Sequence, residues 1–311
     1  MKIMILYLFF FITSCSLSTN DPGKRSRHTA VVYKGSMYVL GGAKVIDHNF
    51  SHLGDFWAYN FLSKKWKVIS SKNNLPARLG HTAVVYKKKM YVFGGFNFDQ
   101  RYLNDLWEFD FPKSTWKKLK SGATKRYMHV MTVHKGIIYI YGGFKGVPDT
   151  VLSDLWKYSI KTGNWVKLKG VSKKLRPTGV LEDSKWYLFS SNYLDTDPDL
   201  IIYDFEHKVW RKKSKIYDKV YFTGTGLIKS NFFVLLGGGD NDGYNYNLYE
   251  NIFCLNLKSK KMHQKKTKLK IKRRLHSQVT FNDKVYIYGG QSYHQNDLGD
   301  LIEFNLNDIK C

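Results

Sequence analysis

Cysteine is scarce in this chain, with three among 311 residues. That excludes a disulfide-dense scaffold. No Cys-x-x-Cys and no His-Glu-x-x-His pair occurs, so no metal site and no cofactor is expected from motif spacing. No Ser-His-Asp order and no isolated carboxylate pair marks a hydrolase. Long hydrophobic runs are lacking as well. The apolar run at the N-terminus, Ile3 to Ile12, has ten residues, half of the ~20 that a membrane-spanning helix needs. Acidic residues are few, with 25 Asp and Glu against 50 Lys and Arg, which leaves a formal charge of +25. A basic excess of this size attracts anions in general.

What the chain does have is a glycine pair that recurs. Gly41-Gly42, Gly94-Gly95, Gly142-Gly143, Gly237-Gly238 and Gly289-Gly290 each end a short apolar run, and Ser190-Ser191 stands in the gap. The spacings are 53, 48, 48, 47 and 52 residues, and a period near fifty signals a repeat architecture. Each unit opens with a run such as His28-Thr29-Ala30-Val31-Val32-Tyr33. A tight turn leads to Met37-Tyr38-Val39-Leu40 and the glycines. The β-branched and aromatic content predicts a hairpin. About ten residues later comes Asp55-Phe56-Trp57, copied as Asp105-Leu106-Trp107 and Asp154-Leu155-Trp156. A second tryptophan follows nine residues on, at Trp66, Trp116 and Trp165. Four strands per unit is the pattern of a propeller blade. The tryptophans are expected to fill the space between sheets.

The double glycines, the tyrosine before them and the paired tryptophans make the chain resemble the kelch-repeat family over about residues 27 to 311. The resemblance implies an all-β, six-bladed propeller with four-stranded blades. Counting nine from Ile302 reaches Cys311, so the fourth strand of blade six is expected from elsewhere. Ser16-Leu17-Ser18-Thr19, at the other end of the chain, is the candidate, the alternatives being a frayed or a shortened sixth blade. Kelch propellers serve many roles. Galactose-oxidase-like enzymes of this fold need a Tyr–Cys crosslink beside copper, and the early blades hold no cysteine to supply it. Kelch-type sialic acid mutarotases are exported propellers that bind an acidic sugar, and this makes an acidic-sugar-modifying enzyme the runner-up to a binding or scaffolding module.

The N-terminus predicts a secretory leader over residues 1–14, with Lys2 ahead of the apolar run. Ile12-Thr13-Ser14-Cys15 resembles a bacterial lipoprotein signal, which makes Cys15 the expected lipid-attachment residue. Residues 15–26 would then be a tether or the closing strand, and 27–311 the propeller. A lipid-anchored protein in the cell envelope, facing the periplasm or exterior, follows from this reading. Export argues against nucleic acid as the anionic partner. Cys254 and Cys311 are left to pair or not.

Two places could carry a site. The segments after the glycines (43–54, 96–104, 144–153, 192–199, 239–251 and 291–299) form the expected recognition face. They are rich in aromatic and amide residues, including His48, Asn49, Phe50, Phe98, Asp99, Arg101, Tyr193, Tyr244 and Tyr293. A protein or glycan partner would meet a monomer there. The second place is the head of each first strand. Arg27/His28, Arg78/His81, Arg126/His129, Arg176 and Arg274/His276 could converge near the channel mouth as an anion-binding ring. Inter-blade ion pairs and hydrogen bonds explain the same pattern. Asp240-Asn241-Asp242-Gly243 begins like a calcium loop but lacks the closing glutamate.

Overall fold

The computed structural model describes residues 21–311 except 47–48, 147–149, 174–176, 191–198, 216–224, 242–245, 260, 270 and 293–295. Blade one is a meander of β1 (Thr29–Tyr33), β2 (Ser36–Ile46), β3 (Asn49–Asn60) and β4 (Lys65–Val68). Blade two has β5 (Thr82–Tyr86), β6 (Lys89–Asn97), β7 (Arg101–Asp110) and β8 (Thr115–Leu119). Blade three has β9 (Val130–His134) and β10 (Ile137–Tyr141), a small ribbon of β11 (Phe144–Lys145) and β12 (Thr150–Val151), then β13 (Leu155–Ser159) and β14 (Trp165–Leu168). Blade four has β15 (Thr178–Glu182), β16 (Lys185–Ser190), β17 (Asp199–Asp204) and β18 (Val209–Lys215). Blade five has β19 (Thr225–Lys229) and β20 (Phe232–Leu236), a ribbon of β21 (Gly239–Asn241) and β22 (Tyr246–Leu248), then β23 (Asn251–Asn256) and β24 (Met262–Lys266). Blade six has β25 (Ser277–Phe281), β26 (Lys284–Tyr288) and β27 (Leu301–Asn305).

The six first strands are neighbours around the ring. Core residues lie between blades rather than within them. Leu40 and Phe56 of blade one pack with Met90, Val92, Phe109 and Trp116 of blade two, and the same arrangement recurs around the ring. A single blade exposes both faces, so it gains its buried area only from its neighbours.

The glycine pairs mark the points where adjacent blades touch through backbone. Gly42 has φ +102°, and a Cβ there would sit 2.6 Å from the Ser26 carbonyl oxygen and 2.8 Å from the His28 Cβ. Its N–H donates to the Arg78 carbonyl of the next blade at 2.9 Å. Only glycine tolerates both the conformation and the approach.

The tryptophans depart from the expected uniform burial. Trp116 is buried, while Trp57, Trp66, Trp107, Trp156 and Trp165 are half-buried. The first of each pair makes a polar contact as well. The indole N–H groups of Trp57, Trp107 and Trp156 donate to Asp55, Asp105 and Asp154 at 2.6–2.7 Å. The second packs beside an aromatic of the third strand, as Trp66 does with Tyr59 at 5.0 Å.

Blade six has three strands among the described residues. Ser16–Thr19 lie outside those residues, but the chain just after them runs beside this blade. Arg25 N–H donates to Leu298 O at 2.9 Å, the Tyr288 hydroxyl donates to Gly23 O at 2.9 Å, and Gly290 N–H donates to Arg25 O at 2.8 Å. The ring therefore engages the chain before residue 27. After β27 the chain forms a short 3-10 turn over Leu306–Asp308. Ile309 is buried against blade five, and Cys311 is disulfide-bonded to Cys254 of β23. The bridge spans 57 residues, and cross-linking a loop of that length stabilises by about 2–4 kcal/mol. Reduction should lower the urea midpoint of the wild type, and Cys311→Ser should reproduce the shift without reductant. An unchanged midpoint would show that the bridge adds nothing to the packing of Ile309.

Candidate functional site

The arginines at the heads of the first strands point into the fold. The Arg78 guanidinium makes a bidentate pair with Asp105 at 2.8 and 2.9 Å, and its Nη1 also donates to Gly94 O at 3.1 Å. Arg126 pairs with Asp154 at 2.9 Å and donates to Gly142 O at 3.0 Å. Each is at most 1% exposed. Their backbone carbonyls accept from the second glycine of the preceding blade at 2.9 Å. One residue thus ties its own second and third strands together and grips the neighbouring blade. This corrects the expectation of an open anion-binding ring at Arg78 and Arg126, because the charge that would meet a ligand is already neutralised by a buried carboxylate.

The structure also corrects the register. The equivalents of Arg78 are Arg25, which pairs with Asp55 at 2.7 and 2.9 Å, and Arg273, which pairs with Asp300 at 2.8 and 2.9 Å. Arg27 and Arg274 are displaced from that position. Arg274 is buried, and its backbone pairs with Gln291. Arg176 lies outside the described residues, as does Cys15. The signal that picks out the bracing arginines is the spacing Arg-x-x-His, present at 25/28, 78/81, 126/129 and 273/276.

The histidines of this motif are interior as well. His129 Nε2 shares a hydrogen bond with the Thr82 hydroxyl at 2.6 Å, His276 with Thr225 at 2.8 Å and His28 with Ser277 at 2.6 Å. Each bond joins one blade to the blade before it. Burial holds all four imidazoles well below their ordinary pKa, with the neighbouring arginine adding to the shift; His81 and His276 come down to about 3. All four are buried and neutral, and His28, His129 and His276 are braced by these bonds, so the set is unsuited to meeting a ligand at the surface. For Asp105, burial alone would raise the carboxyl pKa; hydrogen bonding and the charge of Arg78 outweigh it and the net shift is downward.

The exposed chemistry lies beyond the glycines. The segments after Gly42 and Gly95, expected as loops, continue as paired strands. The β2–β3 ladder shifts register between Leu40 and Gly42 and then runs on from Gly42↔Leu53 to Ile46↔Asn49. The β6–β7 ladder does the same from Gly95↔Leu103 to Asn97↔Arg101. Two hairpins therefore extend beyond the glycines of blades one and two, and an aromatic band runs from His52 and Phe98 across to blade three, with Phe50 two residues from His52 on β3. The Arg27 guanidinium carbon lies 5.1 Å from the Phe50 centroid. His52 contacts Phe98 at 4.1 Å and Phe96 at 6.0 Å. Phe96 meets Tyr102 at 5.4 Å, Tyr102 meets Tyr127 at 5.7 Å, and Tyr127 meets Phe144 of blade three at 4.0 Å. Phe50 and Phe98 are 38% and 52% exposed, which is large for phenylalanine. Lys44 and Arg101 are exposed on these hairpins, and Lys145 is exposed on β11 of blade three.

His48, Tyr193, Tyr244, Tyr293 and Asp242-Gly243 of the other expected loop positions lie outside the described residues. Among the described residues no cluster of His, Cys, Asp or Glu could hold a metal ion.

Residues 27–221 match the profile of the KLHDC2/KLHL20/DRC7 Kelch-repeats domain, and this stretch is more than half of the chain. The chain belongs to that kelch-repeat family. The kelch propeller is 25% identical to the leucine-zipper-like transcriptional regulator 1 homolog of Drosophila melanogaster, covering 93% of this chain and 32% of that protein. It is 35% identical to mouse Kelch-like protein 40 over 119 residues, covering 38% of this chain and 18% of the other. The chain thus spans a third or less of the length of these curated relatives. Among solved structures, YjhT superposes with a TM-score of 0.74 at 15% identity, covering 92% of this chain and 96% of that one. At that identity the likeness concerns the fold.

Proposed function

We propose that this kelch propeller is a protein-binding module that presents the aromatic band of blades one to three to its partner. The observation that carries the reading is the exposure of Phe50, paired with Val45 in the β2–β3 ladder, and of Phe98, in the turn that closes the β6–β7 hairpin. Exposed aromatic anchors rimmed by arginine are the residues in which binding energy concentrates at interfaces. The acidic-sugar reading rested on an arginine ring, and the arginines of that ring that pair with aspartate are committed to the fold. A protein partner is therefore favoured over a glycan or a sugar-modifying reaction.

We further propose that the module is exported and held at the envelope by a lipid on Cys15. The apolar run that ends three residues before Cys15 supports this, as does the Cys254–Cys311 bridge, since disulfides persist in oxidising compartments.

The test is affinity capture from envelope extracts with the full chain and with Phe50→Ala/Phe98→Ala, read by quantitative mass spectrometry. The expected result is a protein recovered by the wild type and depleted at least tenfold with the variant, matching the ~1.4 kcal/mol or more that anchor residues contribute. Equal recovery by both would sink the aromatic-band reading. In the same cells, Cys15→Ser should move the protein from the membrane to the soluble fraction; an unchanged distribution would reject the lipid anchor.

A further inference from the structure

At the outer rim, between blades three and four, lies a cleft of about 630 Å³. It shares no residue with the aromatic band, and an account of it stands apart from the protein-binding proposal. Its walls include Tyr139, Tyr203 and Trp210, together with Lys157, Lys169 and Lys208. Tyr203 lies 4.9 Å from Trp210 and 6.1 Å from Tyr139 between ring centroids, so the aromatic side is continuous. Val171 and Val209, also in the wall, are 40% and 43% exposed. Among the described residues no carboxylate lines it.

The linkers between blades are fastened in two ways. At the junction of blades one and two, Lys72 of the linker pairs in parallel with Thr115, and Trp116 N–H donates to Lys72 O at 3.1 Å. That extra pairing lays the linker along β8 and leaves Trp116 3% exposed. At the next two junctions an indole makes the fastening: Trp165 N–H donates to Lys120 O at 2.8 Å between blades two and three, and the same bond recurs between blades three and four. The Trp210 indole N–H donates to Lys169 O at 2.9 Å, and Trp210 stays half-buried with open space beside it.

We propose that this cleft binds an organic anion, with a flat apolar body against Tyr203 and Trp210 and a carboxylate, sulfonate or phosphate among the three ammonium groups. The volume falls in the ~300–1,000 Å³ range of small-molecule sites, and an apolar wall with a few polar groups is their usual composition. Three like charges without a lining carboxylate favour an anion on entry. The aromatic wall selects for an apolar body, which a simple inorganic ion lacks.

The probes are naphthalene-1-sulfonate and 1-naphthalenemethanol, which share a ring system and differ in charge. Each is titrated into the purified protein by calorimetry. The sulfonate is expected to saturate a single site and to bind at least tenfold more tightly than the alcohol. Lys169→Gln/Lys208→Gln should weaken the sulfonate at least tenfold and leave the alcohol unchanged, with thermal unfolding as for the wild type because both lysines are exposed. Phe50→Ala/Phe98→Ala should leave sulfonate binding intact. No binding, equal binding of the two probes, or full sulfonate affinity in the lysine variant would each overturn the assignment. Should the lysine variant unfold, the salt dependence of the wild type decides. Sulfonate affinity that falls with salt while that of the alcohol holds keeps the proposal, and two equal responses reject it.

Discussion

Arg78→Met is expected to destabilise the propeller by about 3–5 kcal/mol, the usual cost of removing one partner from a buried ion pair. The variant keeps most of the side-chain volume, so a cavity contributes little. What it loses is the bidentate pair to Asp105, which strands that carboxylate at 11% side-chain exposure, and the donors to Gly94 O and Pro76 O. Asp105 keeps the Trp107 indole as its remaining strong partner. Urea unfolding of the variant and the wild type measures the effect, and Arg78→Met/Asp105→Asn should recover a substantial part of it because the stranded charge is gone. A loss below about 1 kcal/mol for the single variant would mean that the Arg–Asp pair is incidental to the blade. Arg126, fully buried on Asp154, should behave in the same way.

Acidification is expected to weaken the fold well above the range where carboxylates titrate. His81 and His276 are neutral in the folded protein, their pKa values brought down to about 3 by burial. In the unfolded chain they take up a proton below about pH 6.5. The unfolded state therefore binds more protons between about pH 6.5 and 3, and stability falls as the pH drops through that window. At pH 5 each imidazole removes about 2 kcal/mol, or about 4 kcal/mol for the pair. His28 and His129 are shifted in the same direction and add to the loss. Asp105, whose pKa is lowered, adds to it only below the ordinary carboxylate range. The measurement is the urea midpoint at pH 7.5, 6 and 5. A flat profile over that range would show that these histidines are solvated and that the inter-blade bonds of His129, His276 and His28 are not made. With His276→Gln the slope against pH should fall by one proton.

Much of this architecture was legible along the chain. The Gly-Gly period, the alternation of β-branched and aromatic residues and the Trp spacing of nine place six units and their strand order, because each is a local demand. A strand needs its apolar face, and the meeting point of two backbones needs a residue without Cβ. The disulfide was legible only as two unassigned cysteines. Its pairing depends on the turn after β27, which carries Cys311 back to blade five.

The functional reading of the arginines failed for an identifiable reason. Repetition of Arg and His in four of the six units signals a group that those blades need, but it does not say which way the side chain points. The Asp two residues before the first tryptophan, 27 or 28 residues downstream of Arg78 and Arg126, is the missing partner, and only the folded meander brings the two together. The aromatic band had the converse history. Phe50 and Phe98 stand in segments expected to be loops, but ladders that resume after the glycine bulge carry Phe50 on a strand and set Phe98 in the turn at the end of one.

Local sequence thus determined the blades, their number and the positions where glycine is obligatory, since these follow from steric and hydrophobic requirements within about fifty residues. Tertiary structure decided which charges are braces and which are available. That choice depends on whether a partner from another strand or blade arrives to neutralise each one, and no contiguous stretch of sequence contains that information.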